Sequence, residues 1–268
     1  MAVKYSTKEI SNFAKRAITS LDDGDDTEFF KITEEVLCSK LPFRYLYIYS
    51  SELGIWGLEN FVKYFQLLDK LFYKDLNYGY RPEFFRNSNF WTLDKIRAMI
   101  LGARISVIAT GLGVISEKYP KKSLKIVKKY LIDGDGWYIC DGMSIALGYL
   151  LRHHFEFTFD NLKQWSKADN NWLRRAAVVA LRELMKDRRY YEQLQKSLVI
   201  FDSLMKDNDR MVKLGVAWML RELTKNYKKE VLELISRWKN VDNKNTKWII
   251  NHGITKLSKE EKISLLNG

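Results

Sequence analysis

In the stretch GWYICD, Trp137 and Asp141 stand four residues apart, so on a helix they share one face, an indole one turn from a carboxylate. In AWMLRE, Trp218 and Arg221 are three apart and share a face in the same way. Arg175 opens the helix between these two, in NNWLRRAA. A carboxylate can stabilise a developing cation or orient an attacking water, and indole faces attract cations by ~0.5–2 kcal/mol. Guanidinium and ammonium groups at Arg175, Arg221 and a subset of the Lys and Arg around residues 182–229 suit phosphates, which they position without reading sequence.

Other chemistries lack their residues. His153 and His154 are adjacent and point to different helix faces, and His252 is isolated. Cys38 and Cys140 lie far apart with no Cys/His cluster beside them, so neither a disulfide framework nor a zinc site is expected, and a reducing cytoplasm fits best. Walker, GxGxxG and HExxH patterns are absent, and Gly111 and Gly113 in TGLGVIS do not continue into a dinucleotide fingerprint. No metal and no cofactor are expected.

The elements that must position these residues are set by a repeat. The stretch from Asp169 to Leu184, DNNWLRRAAVVALREL, is echoed from Asp207 to Leu223, DNDRMVKLGVAWMLREL, with weaker echoes starting at Asp135 and Asp242. Starts at 135, 169, 207 and 242 suit paired-helix repeats. Each aspartate is placed to cap a helix N-terminus, and the small apolar face that follows, as in Ala176, Ala177, Ala180 and Leu181, lets neighbouring helices approach. Arg175 and Lys213 occupy equivalent repeat positions and are expected on or near the lining formed by one helix of each pair. Only three prolines interrupt the chain, which favours helix throughout. Residues 5–20 read as an amphipathic helix, the aspartates at 22, 23, 25 and 26 as a loop and helix start, and the run Tyr45, Tyr47, Tyr49 as helix rather than strand. The expectation is an all-α, HEAT-like repeat superhelix of stacked antiparallel helix pairs with a concave basic face, one domain over 1–268, with divergent helices in 1–120 and recognisable repeats in 121–268.

Charge follows the same division. Residues 1–120 carry 16 Lys+Arg against 15 Asp+Glu, whereas 121–268 carry 29 against 18, a net of +11. A one-sided excess of this kind marks a surface that meets a polyanion. No run approaches the ~20 apolar residues needed to span a bilayer, so no membrane role is expected.

The stretches GWYICD (136–141), WSKADNNWLRRAA (165–177) and VAWMLRELTKNYKKEV (216–231), followed by a final repeat near Lys247, resemble the DNA alkylation repair glycosylases built from HEAT-like repeats. Their order and spacing over roughly residues 120–257 carry the resemblance. It implies hydrolysis of the N-glycosidic bond of cationic alkylated purines, of the 3-methyladenine or 7-methylguanine type, in double-stranded DNA by a monomer without cofactor. By motif, Asp141 is the catalytic carboxylate, Trp137 and Trp218 are aromatic walls beside the lesion, Arg175 grips the phosphate backbone, and Arg221, Lys213 and Lys247 add DNA contacts. Relatives also bring an N-terminal tyrosine near the lesion, and the segment 40–57 offers Tyr45, Tyr47 and Tyr49 without choosing among them.

Plainer roles stand beside these. Trp165 and Trp172 read as core, Asp141 could cap a helix or pair with an arginine, and Arg175 could be a structural arginine of the repeat. Arg182 occupies the same LREL echo as Arg221, which suggests a structural role shared by both. Two other functions fit the same features: a non-catalytic module binding distorted or branched DNA, and a scaffold gripping an acidic protein.

Overall fold

The computed structural model describes residues 5–39, 41–76, 94–134 and 136–267. It falls into two units, Met1–Tyr149 and Leu150–Gly268.

The first unit begins with α1 (Thr7–Asp22), started by a capping box: the Ser6 hydroxyl accepts the Glu9 N–H while the Glu9 carboxylate accepts the Ser6 N–H. Ile10, Ala14 and Ala17 are buried, as the apolar spacing requires. Asp25 caps α2 (Asp26–Cys38), after a turn in which Gly24 takes a φ of +79°. Pro42 leads into α3 (Phe43–Glu59), which contains Tyr45, Tyr47 and Tyr49, so their alternation belongs to a helix. Next come α4 (Phe61–Leu76), α5 (Asp94–Ser116), α6 (Pro120–Asp133, with proline at its first position) and α7 (Trp137–His153). The unit boundary falls inside α7.

Helix α5 is the core of this unit. Ile105, Val107, Ile108, Ala109, Leu112 and Ile115 are buried on several sides of it, the pattern of a helix surrounded by others. It packs most extensively on α3, and α4 and α6 also lie against it. A Cβ at Gly54 would sit 2.8 Å from the Val114 Cβ, so this glycine lets α3 and α5 close together.

The second unit is built from helix pairs. Helix α8 (Phe155–Trp165) precedes α9 (Asn171–Val179), which runs on through a 3-10 turn, Ala180–Glu183. After a short turn, Arg188–Tyr190, helices α10 (Tyr191–Ser197) and α11 (Val199–Leu204) precede α12 (Arg210–Leu223). Helix α13 (Lys228–Trp238) precedes α14 (Lys244–Gly253), and α15 (Lys259–Asn267) ends the unit. Helices α9, α12 and α14 stack side by side as an inner layer, with α8, α11 and α13 against them from outside. They run parallel: Arg175 meets Met211, Lys213 meets Asn245, and Arg221 meets His252. The fold is all-α and repeat-built, as the echoes predict. Ala176, Ala177, Ala180 and Leu181 are fully buried, which is the close approach expected of that small-residue face.

The caps differ in detail from the expectation. The N-cap residues are Asn170, Asp209 and Asn243 rather than Asp169, Asp207 and Asp242. Asp207 instead accepts the Asp209 N–H and pairs with Arg174 at 2.7 Å, and Asp242 pairs with Lys247. A cap must accept from an N–H two or three residues on, and only the residue directly before the helix can reach it. Asp135, the fourth expected cap, lies outside the described residues.

The charge asymmetry sharpens when counted by unit. The first unit holds 21 Lys+Arg and 18 Asp+Glu, a net of +3, and the second holds 24 and 15, a net of +9. Among the described residues, no helix is long and apolar enough to cross a membrane.

Candidate functional site

Helix α7 presents one half-exposed stripe, Trp137, Asp141, Ile145 and Tyr149, at four-residue spacing, while Ile139, Cys140, Met143, Ala146 and Leu147 are buried behind it. Trp137 opens the helix and meets Tyr138 edge to face, with ring centroids 6.2 Å apart. Two glycines set the aim of the stripe. A Cβ at Gly142, the neighbour of Asp141, would collide with Ile105 of α5, and one at Gly113 of α5 would come within 2.5 Å of the Tyr149 ring. These contacts fix how α7 lies along α5. The Ser144 hydroxyl donates to the Asp141 carbonyl at 2.7 Å. Indole and carboxylate share one half-exposed face of a helix held by the core.

The structure separates the three tyrosines. Tyr49 is fully buried with its hydroxyl 2.8 Å from that of Thr33, and burial pushes its ionisation well above the ordinary phenol range. Tyr49 is a core residue. Tyr45 is half-buried beneath the Arg44 guanidinium, 4.7 Å from its ring, and Tyr47 is exposed.

In the second unit the basic residues singled out by motif mostly reach from one inner helix to the next. Arg175 was expected at the lining but is only 5% exposed; its Nη1 donates to the Met211 carbonyl at 2.6 Å, over Gly215, where a Cβ would meet that nitrogen at 3.1 Å. Lys213, its repeat equivalent, is half-buried, donates to Asn245 Oδ1 at 2.9 Å and lies 5.4 Å from the Trp248 ring centre. Arg221 donates from Nη1 to the His252 carbonyl at 2.9 Å. Arg182, at the matching place of the LREL echo, reaches forward to lie over Trp218, 5.4 Å from its ring centre. The echo thus encodes a shared reach between helices with different targets. Trp218 is half-buried on the outward side of α12, in line with Arg210, Leu214 and Glu222. Lys247 is exposed and pairs with Asp242 at 2.7 Å.

Sequence reasoning missed Trp248. It is half-buried on α14, stacks on His252 at 3.8 Å, and carries Lys213 above it. The four-residue spacing of Trp248 and His252 was the available signal. Trp165 and Trp172 are buried, as expected. Among the described residues, no three metal-ligating side chains converge.

Residues 103–257 match the family of DNA alkylation repair enzymes. The chain belongs to this family. Among solved structures it is similar to the Pseudomonas fluorescens alkylpurine DNA glycosylase AlkC bound to DNA containing an abasic site analog, with 25% sequence identity over 66% of this chain and 51% of that one, and a TM-score of 0.44. The chain thus matches about half the length of that glycosylase. No curated protein matches it. As a DNA alkylation repair family member, the protein carries Trp137, Asp141, Arg175, Lys213, Trp218, Arg221 and Lys247 all within the matched span. Tyr45, Tyr47 and Tyr49 lie before it.

Proposed function

We propose that this protein is a DNA glycosylase that releases cationic alkylated purines, of the 3-methyladenine or 7-methylguanine type, from duplex DNA. The observation that carries the reading is the half-exposed face of α7, with Trp137 one turn from Asp141. An alkylated purine already bears positive charge, so its bond to C1′ can break with the electron pair leaving on the base, which departs neutral and needs no general acid. The sugar left behind is oxocarbenium-like. The Asp141 carboxylate stabilises that cation and orients the water that adds to C1′ and loses its proton. The face of Trp137 favours the cationic base. No step calls for a metal or a cofactor.

Family membership and the +9 charge of the second unit support duplex DNA as the partner. Phosphates fall to the exposed cations of the inner helices, Arg210, Lys244 and Lys247, with half-buried Lys213 and Arg221 beside them. Arg175 acts by holding α9 to α12. The chain acts as a monomer in the cytoplasm.

Release of free methylated base from methylated duplex DNA tests the proposal, with Asp141→Asn alongside. The expected result is release by the parent and at least a hundredfold slower release by Asp141→Asn, both binding DNA equally. A folded parent that binds the duplex and releases no base would make the protein a non-catalytic DNA-binding module. Full activity in Asp141→Asn would remove the carboxylate from the mechanism.

A further inference from the structure

Between α4 and α6, within the first unit, lies an open groove of about 640 Å³. Phe61, Val62, Phe65, Ile126 and Ile132 form its floor, and Val62 and Ile132 are 57% and 43% exposed. Large aliphatic side chains grouped in water mark a surface that a partner covers. The rim is basic, formed by Lys122, Lys125, Lys128 and Lys129. Its one carboxylate, Asp69, is already engaged by Lys129 at 3.0 Å and by the Tyr130 hydroxyl at 2.6 Å. Lys122 lies over the Phe61 ring at 4.0 Å. Among the described residues, no carboxylate pairs with Lys122, Lys125 or Lys128.

The two walls run from Phe61 to Asp69 on α4 and from Lys122 to Ile132 on α6. At 1.5 Å per residue this is about 12–15 Å, or two to three helical turns. A phosphate backbone would satisfy the lysines but leave the aliphatic floor in water. An amphipathic helix satisfies both, placing apolar residues from one face on the floor and carboxylates against the rim. We propose that this groove docks an acidic amphipathic helix of a partner protein.

The test pans the full chain against displayed helices of about 14 residues, with Leu, Ile or Phe at i, i+3, i+4 and i+7 and Glu, Lys or Gln elsewhere. Recovered peptides are expected to be net negative and to bind more weakly as salt rises. Their affinity should fall at least tenfold in Val62→Asp and in the triple variant Lys122→Glu, Lys125→Glu, Lys128→Glu. These positions are exposed, so both variants should keep the parent's circular dichroism and melting temperature. Recovery of no peptide, of net positive peptides, or of peptides indifferent to both variants would overturn the proposal. So would duplex DNA or phosphatidylserine vesicles whose binding is lost in the triple variant but untouched by Val62→Asp.

Discussion

Arg175 and Asp141 carry opposite lessons about single residues. Four-residue spacing placed Trp137 and Asp141 on one helix face, and the structure keeps them there because face sharing depends only on helix geometry. Burial of Arg175 depends on Gly215 and the Met211 carbonyl, contributed by a helix that begins 35 residues later, and no local pattern reports such a neighbour. The consequence is measurable. Arg175→Ala should lower unfolding stability by roughly 1.5–3 kcal/mol, the range for a hydrogen bond to a charged group, because the Met211 carbonyl loses its charged donor. Salt dependence of DNA binding should stay at the parent's value. A salt slope shallower by about one would return Arg175 to the phosphates. Arg175→Lys should recover only part of the stability, since an ammonium lacks the planar reach of the guanidinium.

For the elements, the repeat echo was legible because the inner helices α9, α12 and α14 pack side by side and bury apolar faces at corresponding positions, which constrains their sequences alike. Outer helices were less legible. Helices α10 and α11 are separated only at Leu198, and their apolar residues answer to their own neighbours rather than to a repeat. The caps fell between these cases: the right kind of residue stood at each start, but the choice among neighbouring Asp and Asn was set by which side chain reached the first free N–H groups. Asp209 accepts from Met211 N at 2.8 Å and Val212 N at 3.0 Å. Asp209→Ala should therefore cost about 1 kcal/mol in denaturant unfolding. Asp169→Ala, at the position read as a cap from the echo, should change stability by less than about 0.5 kcal/mol. Equal losses in the two variants would mean that capping is not what starts these helices.

For the whole molecule, the question is which basic surface meets DNA, and ionic strength answers it. Each phosphate neutralised releases counterions, so the logarithm of the binding constant falls with the logarithm of salt by about 0.9 per contact on B-form DNA. The proposed function places the duplex on the second unit, in keeping with its +9 charge and the exposed Arg210, Lys244 and Lys247 on its inner helices. Replacing these three by alanine should weaken duplex binding and reduce the slope by roughly 3. The lysines of α6 are equally exposed and equally positive, yet they border an apolar floor that a duplex has no means to cover. Replacing Lys122, Lys125 and Lys128 by alanine should leave the slope within about 1 of the parent's. A slope that drops in the α6 variant and holds in the inner-helix variant would move the nucleic-acid surface to the first unit. Charge alone does not separate two lysine-rich faces of one chain; what lies between the lysines does.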